Sequence, residues 1–173
     1  MASLIESGIT LDFPTTDWFR FEKKEPYASL SGYGFKEMDA CWCTTESGDN
    51  VIYAIELKDY SAVNALEPDN VESRKYDIVK KCVDSLQMLL AARYQTDFGK
   101  KLEVEHNHNM HALPIRWKLI TIVNIPAEKA SMMQALKDKC LALLKPYQCV
   151  WENVSVHILT YEQAKKHFLT FVK

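Results

Sequence analysis

The stretch "VIYAIELKDYS", residues 51–61, sets Glu56 and Lys58 at the end of an apolar run. Side chains alternate faces along a strand, so Ile52, Ala54, Glu56 and Lys58 share one face and Val51, Tyr53, Ile55 and Leu57 the other. Both faces begin apolar, as they do in a central strand. A carboxylate buried there without a partner would be costly, so a partner or a function is expected. The preceding segment offers a second carboxylate, because Glu37, Asp39, Cys41 and Cys43 alternate with Met38, Ala40 and Trp42. "ESGDN" between the two segments suits a tight hairpin with Gly48-Asp49 at its turn. With Ser47 facing Asn50, Asp39 falls opposite Lys58 and Cys41 opposite Glu56. Any even-length loop keeps that parity. Asp39, Glu56 and Lys58 therefore meet on one face, with the two carboxylates roughly 7–8 Å apart on the diagonal.

Two carboxylates and a lysine at strand ends suit metal-assisted phosphodiester hydrolysis. Mg2+ or Mn2+ prefers oxygen ligands and keeps several waters. Such an ion polarises a phosphate and lowers the pKa of water. A lysine beside it positions the water or offsets charge in the transition state. The plainer reading of Asp39 and Lys58 is a cross-strand salt bridge at a sheet edge.

The elements that must position these residues are read from periodicity. Residues 35–44 and 51–58 are strands. Residues 15–28 fit a helix capped at Thr15 or Thr16, and equally a strand. Pro68, Asp69 and Asn70 open a helix that runs to about Tyr94, with Ile78, Cys82, Val83, Leu86, Leu89 and Leu90 at helical spacing. "IRWKLITIVN", residues 115–124, is a second buried strand. Ala127 to Lys145 is an amphipathic helix with Met132, Met133, Leu136, Cys140, Leu143 and Leu144 on its apolar side, stopped by Pro146. Val154, Val156 and Ile158 mark a strand, and Tyr161 to Phe171 a final helix. A meander of two or three strands, then helix, strand, helix, strand and helix, predicts an α/β fold: a mixed central sheet with helices on both faces.

The 173 residues fit one domain, 1–173. No run is long and apolar enough for a membrane span. "MASLIESGITLDF" has neither the basic nor the apolar region of a secretory signal. Five cysteines without framework spacing read as reduced, mostly buried thiols of a cytoplasmic protein. Cys41 and Cys43 read as small core residues, as the four tryptophans read as core or half-buried. A net charge of −2 argues against a protein held on DNA mainly by a broad basic surface, so phosphate contacts would be local. "RKYDIVKK", residues 74–81, is the strongest basic cluster, which makes Arg74, Lys80 and Lys81 the candidates. An ordinary solvated helix surface is the alternative. "HNHNMH", residues 106–111, reads as a surface loop.

Asp39, the turn and "Glu56-Leu57-Lys58" together resemble the PD-(D/E)XK nuclease superfamily, which includes restriction endonucleases, Holliday-junction resolvases and repair exonucleases. The resemblance covers residues 15 to 124. It implies a restriction endonuclease-like core of a helix, a three-stranded meander, a helix and a further strand, with the aspartate on the second strand and E-x-K on the third. It implies that Asp39, Glu56 and the Leu57 carbonyl bind Mg2+ or Mn2+, and that Lys58 is the catalytic lysine. It further implies an endonuclease acting on nucleic acid, DNA favoured over RNA, often as a homodimer. Met38 stands at the proline position of the motif. Glu22 and Glu25 are the candidates for a first-helix carboxylate. Gln87 could face the site, but Ala91 four residues on lacks the tyrosine of the exonuclease branch. A non-catalytic protein-binding partner on the same fold, such as an immunity or accessory protein, is the alternative function. A toxin domain cutting tRNA is a third, against which the missing delivery segment weighs.

Overall fold

The computed structural model describes residues 2–62, 64–102, 115–168 and 171–173. "HNHNMH" lies outside the described residues. The chain opens with an antiparallel hairpin, β1 (Ala2–Glu6) and β2 (Ile9–Phe13). A five-stranded sheet follows: β3 (Trp18–Phe19), β4 (Ala40–Glu46), β5 (Asp49–Asp59), β6 (Ile115–Asn124) and β7 (Val154–Thr160), in that spatial order. β3, β4 and β5 pair antiparallel, while β5, β6 and β7 pair parallel. The sheet is therefore mixed, with β5 at its centre. Parallel neighbours need long crossovers. Helix α2 (Pro68–Arg93) lies between β5 and β6, and α4 (Met133–Val150) between β6 and β7. The short helices are α1 (Glu25–Ser31), α3 (Asp97–Lys101) and α5 (Tyr161–His167).

Alternation along β5 divides the core into two layers. Ile52 and Ala54 pack with Cys41, Cys43, Leu119 and Ile158 under α2 and α4, through Ile78, Cys82, Leu86, Leu136 and Cys140. Val51, Tyr53, Ile55 and Leu57 pack on the other face against Leu4, Ile9, Leu11 and Phe13 of the hairpin, Ala164 of α5, and Phe171 and Val172. The second face is thus covered mainly by a β-hairpin, with one short helix beside it. Alternation in "ITLDF" and the Ser7-Gly8 turn mark that hairpin, and sequence reading passed over them. None of the helices among the described residues is long and apolar enough to cross a membrane.

Several expectations are corrected. The β4–β5 turn is Ser47-Gly48, both at positive φ (52° and 89°), with Glu46 facing Asp49. A tight type I′ turn places both central residues at positive φ, which a glycine in the second position meets without strain. The register therefore slips by two residues. Ala40 faces Ile55 and Cys41 faces Ala54, so Cys41 does not face Glu56, nor Asp39 Lys58. Continued past Ala40, this register brings Asp39 level with Glu56. Residues 35–39 precede the strand. The ambiguous 15–28 segment holds strand, a 3-10 turn (Phe21–Lys23) and the start of α1, so a helix does not precede the meander.

Pro146 sits inside α4 and does not end it. Its missing N–H deprives the Ala142 carbonyl, which lies on an exposed face where water can serve. A 3-10 turn over Ala127–Met132 precedes α4, and Met132 and Leu143 are exposed. The last helix ends at His167, beyond which Val172 bridges to Leu11. Four cysteines are buried and Cys149 is exposed.

Candidate metal and phosphate site

Beyond its pairing with Ala40, β5 continues with no β4 partner, and here the site residues gather. Glu56 and Lys58 have the parity of Ile52 and Ala54, so they face α2. Asp77 and Lys81, four residues apart on α2, share a helix face. Lys58 Nζ lies 2.8 Å from Glu56 Oε1 and 3.0 Å from Asp77 Oδ2. Lys81 Nζ lies 2.7 Å from Glu56 Oε1 and 3.7 Å from Asp39 Oδ1. Asp39, Glu56 and Lys58 are therefore brought together, as parity requires, and Lys81 joins them from the helix.

The 36–39 segment is tied down by side chains. The Lys36 amide donates to Asp84 Oδ2 (2.9 Å) and the Met38 amide to Ser85 Oγ (2.8 Å), both acceptors on α2. The Leu57 amide donates to Asp39 Oδ2 (2.7 Å). The Leu57 side chain is buried on the opposite face, and its carbonyl accepts from the Ser7 hydroxyl at 3.1 Å. A carbonyl has a second lone pair, so that contact leaves one acceptor position.

The carboxylates are deep and the ammoniums rim them. Glu56 is 1% exposed at its side chain and Asp39 10%, against 20% for Lys58 and 19% for Lys81. Burial, then the neighbouring Asp39, raises the Glu56 carboxyl from 4.5 to about 7, against the pull of Lys81 and Lys58. Burial lowers the pKa of Lys58, but Glu56 and Asp77 more than reverse this and hold it above its ordinary value. Burial raises the pKa of Asp77, and hydrogen bonds from Lys36 and Lys58 outweigh that, leaving it low. Burial also raises Glu37, which lies within electrostatic reach of Lys81, Glu22 and Asp39.

The other candidates go elsewhere. Glu22 pairs with Arg20 and Lys23. Glu25 lines a cleft of about 780 Å³ with Lys23, Lys24, Phe98 and Lys101. Neither joins Asp39 and Glu56, whereas Asp77 shares Lys58 with Glu56 and Glu37 lies within electrostatic reach of Asp39. Gln87 is exposed beside Phe35 and Phe98, about 240° round α2 from Lys81. Arg74 is used inside the fold, with Nε 2.6 Å from the Ala65 carbonyl and its guanidinium over the Tyr60 ring. Lys80 pairs with Asp84 at 2.8 Å. Sequence reading missed Asp77, for which the i,i+4 spacing to Lys81 was the available signal.

Among the described residues, no group of three His, Cys, Asp or Glu side chains forms a metal-binding set. Among the described residues, Asp39, Glu56 and the Leu57 carbonyl are the oxygen donors that could meet a cation at this end of β5. One observation fits such an ion: Glu56 Oε2 is buried with no hydrogen-bond partner. An unpartnered carboxylate oxygen at this depth is costly, and a cation would satisfy it. No family model matches the chain, and no curated protein or solved structure matches it either.

Proposed function

We propose that this chain is a metal-dependent nuclease of the PD-(D/E)XK kind, hydrolysing phosphodiester bonds, with DNA favoured over RNA. The observation that carries the reading is the convergence of Asp39, Glu56 and Lys58 at the unpaired end of β5, with Glu56 Oε2 left without a partner. The strand plan supports it. An aspartate precedes the middle strand of an antiparallel meander, E-x-K lies on the third strand, and a helix leads to a parallel fourth.

Asp39, Glu56 and the Leu57 carbonyl would hold Mg2+ or Mn2+. When bound, such an ion supplies Lewis-acid polarisation of a phosphate and activation of water. Lys58 stays protonated at neutral pH, because Glu56 and Asp77 hold its pKa high. It therefore cannot act as a general base. Its part is to offset negative charge on the phosphate, from a position fixed by two carboxylates.

The test is incubation of the protein with linear, circular and single-stranded DNA and with RNA, in Mg2+ or Mn2+. EDTA and Lys58→Ala are the controls. Cleavage lost in both supports the reading. No cleavage on any substrate in either ion refutes it.

A second reading has its own observation. Each acid of the cluster already has a lysine: Lys81 for Asp39 and Glu56, Lys58 for Glu56 and Asp77, Lys36 for Asp77, and Lys80 for Asp84. That suits a non-catalytic protein-binding fold whose ion pairs only fasten residues 36–39 to α2. On this reading Mn2+ leaves the melting temperature unchanged, with or without Glu56→Gln.

A further inference from the structure

Among the described residues, Lys81 is the cation that touches both site carboxylates, at 2.7 Å from Glu56 Oε1 and 3.7 Å from Asp39 Oδ1. An ammonium there stands where a divalent ion shared by the two acids would stand. Glu56 Oε1 already holds two ammoniums, Lys81 at 2.7 Å and Lys58 at 2.8 Å, so a divalent ion shared by the two acids would be a third cation at contact in a buried site, and one ammonium must give way. Lysine also has the means to leave. Its charge is carried on a flexible four-carbon stem, and the side chain is 19% exposed, so its head has a route to water. Lys58 is as exposed, but its second carboxylate, Asp77, holds it at 3.0 Å, closer than Asp39 holds Lys81 at 3.7 Å. Glu56 Oε2, buried and unpartnered, shows that Lys81 satisfies the acid only in part.

We infer that Lys81 is a built-in counter-ion of the Asp39–Glu56 pair, closing the site in the absence of a divalent cation and displaced when one binds. This rests on the metal-binding part of the function proposed above. Lys81 offsets the repulsion between the two carboxylates in the cation-free fold, where a buried acid left unpaired would be destabilising. Cation binding releases its ammonium to the rim, beside Lys58, where an incoming phosphate would meet two positive charges. Divalent affinity is thereby set by a competition within the chain.

The test uses EDTA-treated full-length protein titrated with Mn2+ and followed by calorimetry and thermal melting. Lys81→Met is expected to half-saturate at about tenfold lower Mn2+ than the wild type, the worth of one lost charge-assisted hydrogen bond. It also melts lower without the cation. Because that variant could fold poorly, a second measurement uses the wild type alone. Acylation of the Lys81 amine, read by peptide mass spectrometry, is expected to rise several-fold with Mn2+ while that of the distant Lys165 stays constant. Equal Mn2+ affinity in wild type and Lys81→Met, with Lys81 acylation unchanged on binding, overturns the counter-ion role and leaves the metal site standing. Mn2+ binding to neither protein removes the metal site itself, and the inference with it.

Discussion

Glu56→Gln in cation-free buffer isolates the electrostatics of the site. The Glu56 carboxyl is pushed from 4.5 to about 7, first by burial and then by Asp39. The fold therefore binds its proton more tightly than the unfolded chain does. The contribution of such a group is fully present below its unfolded value and is lost as pH rises through the folded one. The gap between 4.5 and about 7 corresponds to about 3 kcal/mol. For a chain of this length that is roughly 6–12 °C in melting temperature. Glutamine keeps the shape and removes the titration, while Lys58 keeps Asp77 and Lys81 keeps Asp39. The assay is urea unfolding of both proteins in EDTA at a series of pH values. Subtracting the variant from the wild type cancels Asp77 and Glu46. Those groups have lowered pKa values despite burial, and they act in the opposite sense at lower pH. The difference is expected to fall by up to about 3 kcal/mol as pH rises from 4.5 to well above 7. A difference that is flat, or that rises with pH, refutes the claim that burial and Asp39 together outweigh the two lysines.

Ser85→Ala leaves the buried Met38 amide without its acceptor and is expected to cost about 1–3 kcal/mol in urea unfolding. Gly99→Ala places a Cβ 1.9 Å from the Ala91 carbonyl oxygen, where α3 crosses the end of α2. It should destabilise by about 1–3 kcal/mol or more, read as a lower urea midpoint at unchanged slope.

Long elements with unambiguous periodicity were legible from the sequence. β6 matches its expected bounds, Ile115–Asn124, and α2 begins at the expected Pro68. Alternation in "AIELK" and "EMDAC" placed Asp39, Glu56 and Lys58 on one side of the sheet even though the register was two residues off, since a slip of two preserves parity. What failed depended on three-dimensional context. Pro146 reads as a stop, but its helix survives because the carbonyl it strands is exposed. The Ser47-Gly48 turn is set by backbone handedness, which the apolar pattern does not report. The sequence does not show that Asp77 and Lys81 meet Glu56, because the rotation of α2 against the sheet follows from packing of Ile78, Cys82 and Leu86. That rotation turns residues 77 and 81 toward Glu56.

Among the acids of the site, Asp39 and Glu56 differ in what they do for the fold. β4 stops pairing at Ala40, and beyond that point side chains take up backbone donors of residues 36–39 and of β5. Asp84 takes the Lys36 amide, Ser85 the Met38 amide, and Asp39 the Leu57 amide. Asp39 thus has a structural task that an asparagine would also perform, so a stable fold with Asp39 in place says little about chemistry. No backbone group bonds to the Glu56 carboxylate in the contacts that define the site. It is 1% exposed, carries an unbonded oxygen, and is held against its own desolvation by two lysines. Burying a carboxylate at that position is costly. Buried titratable groups that work against stability gather where a protein binds or transforms something. Glu56, more than Asp39 or Lys58, is therefore the residue on which the functional reading of this site depends.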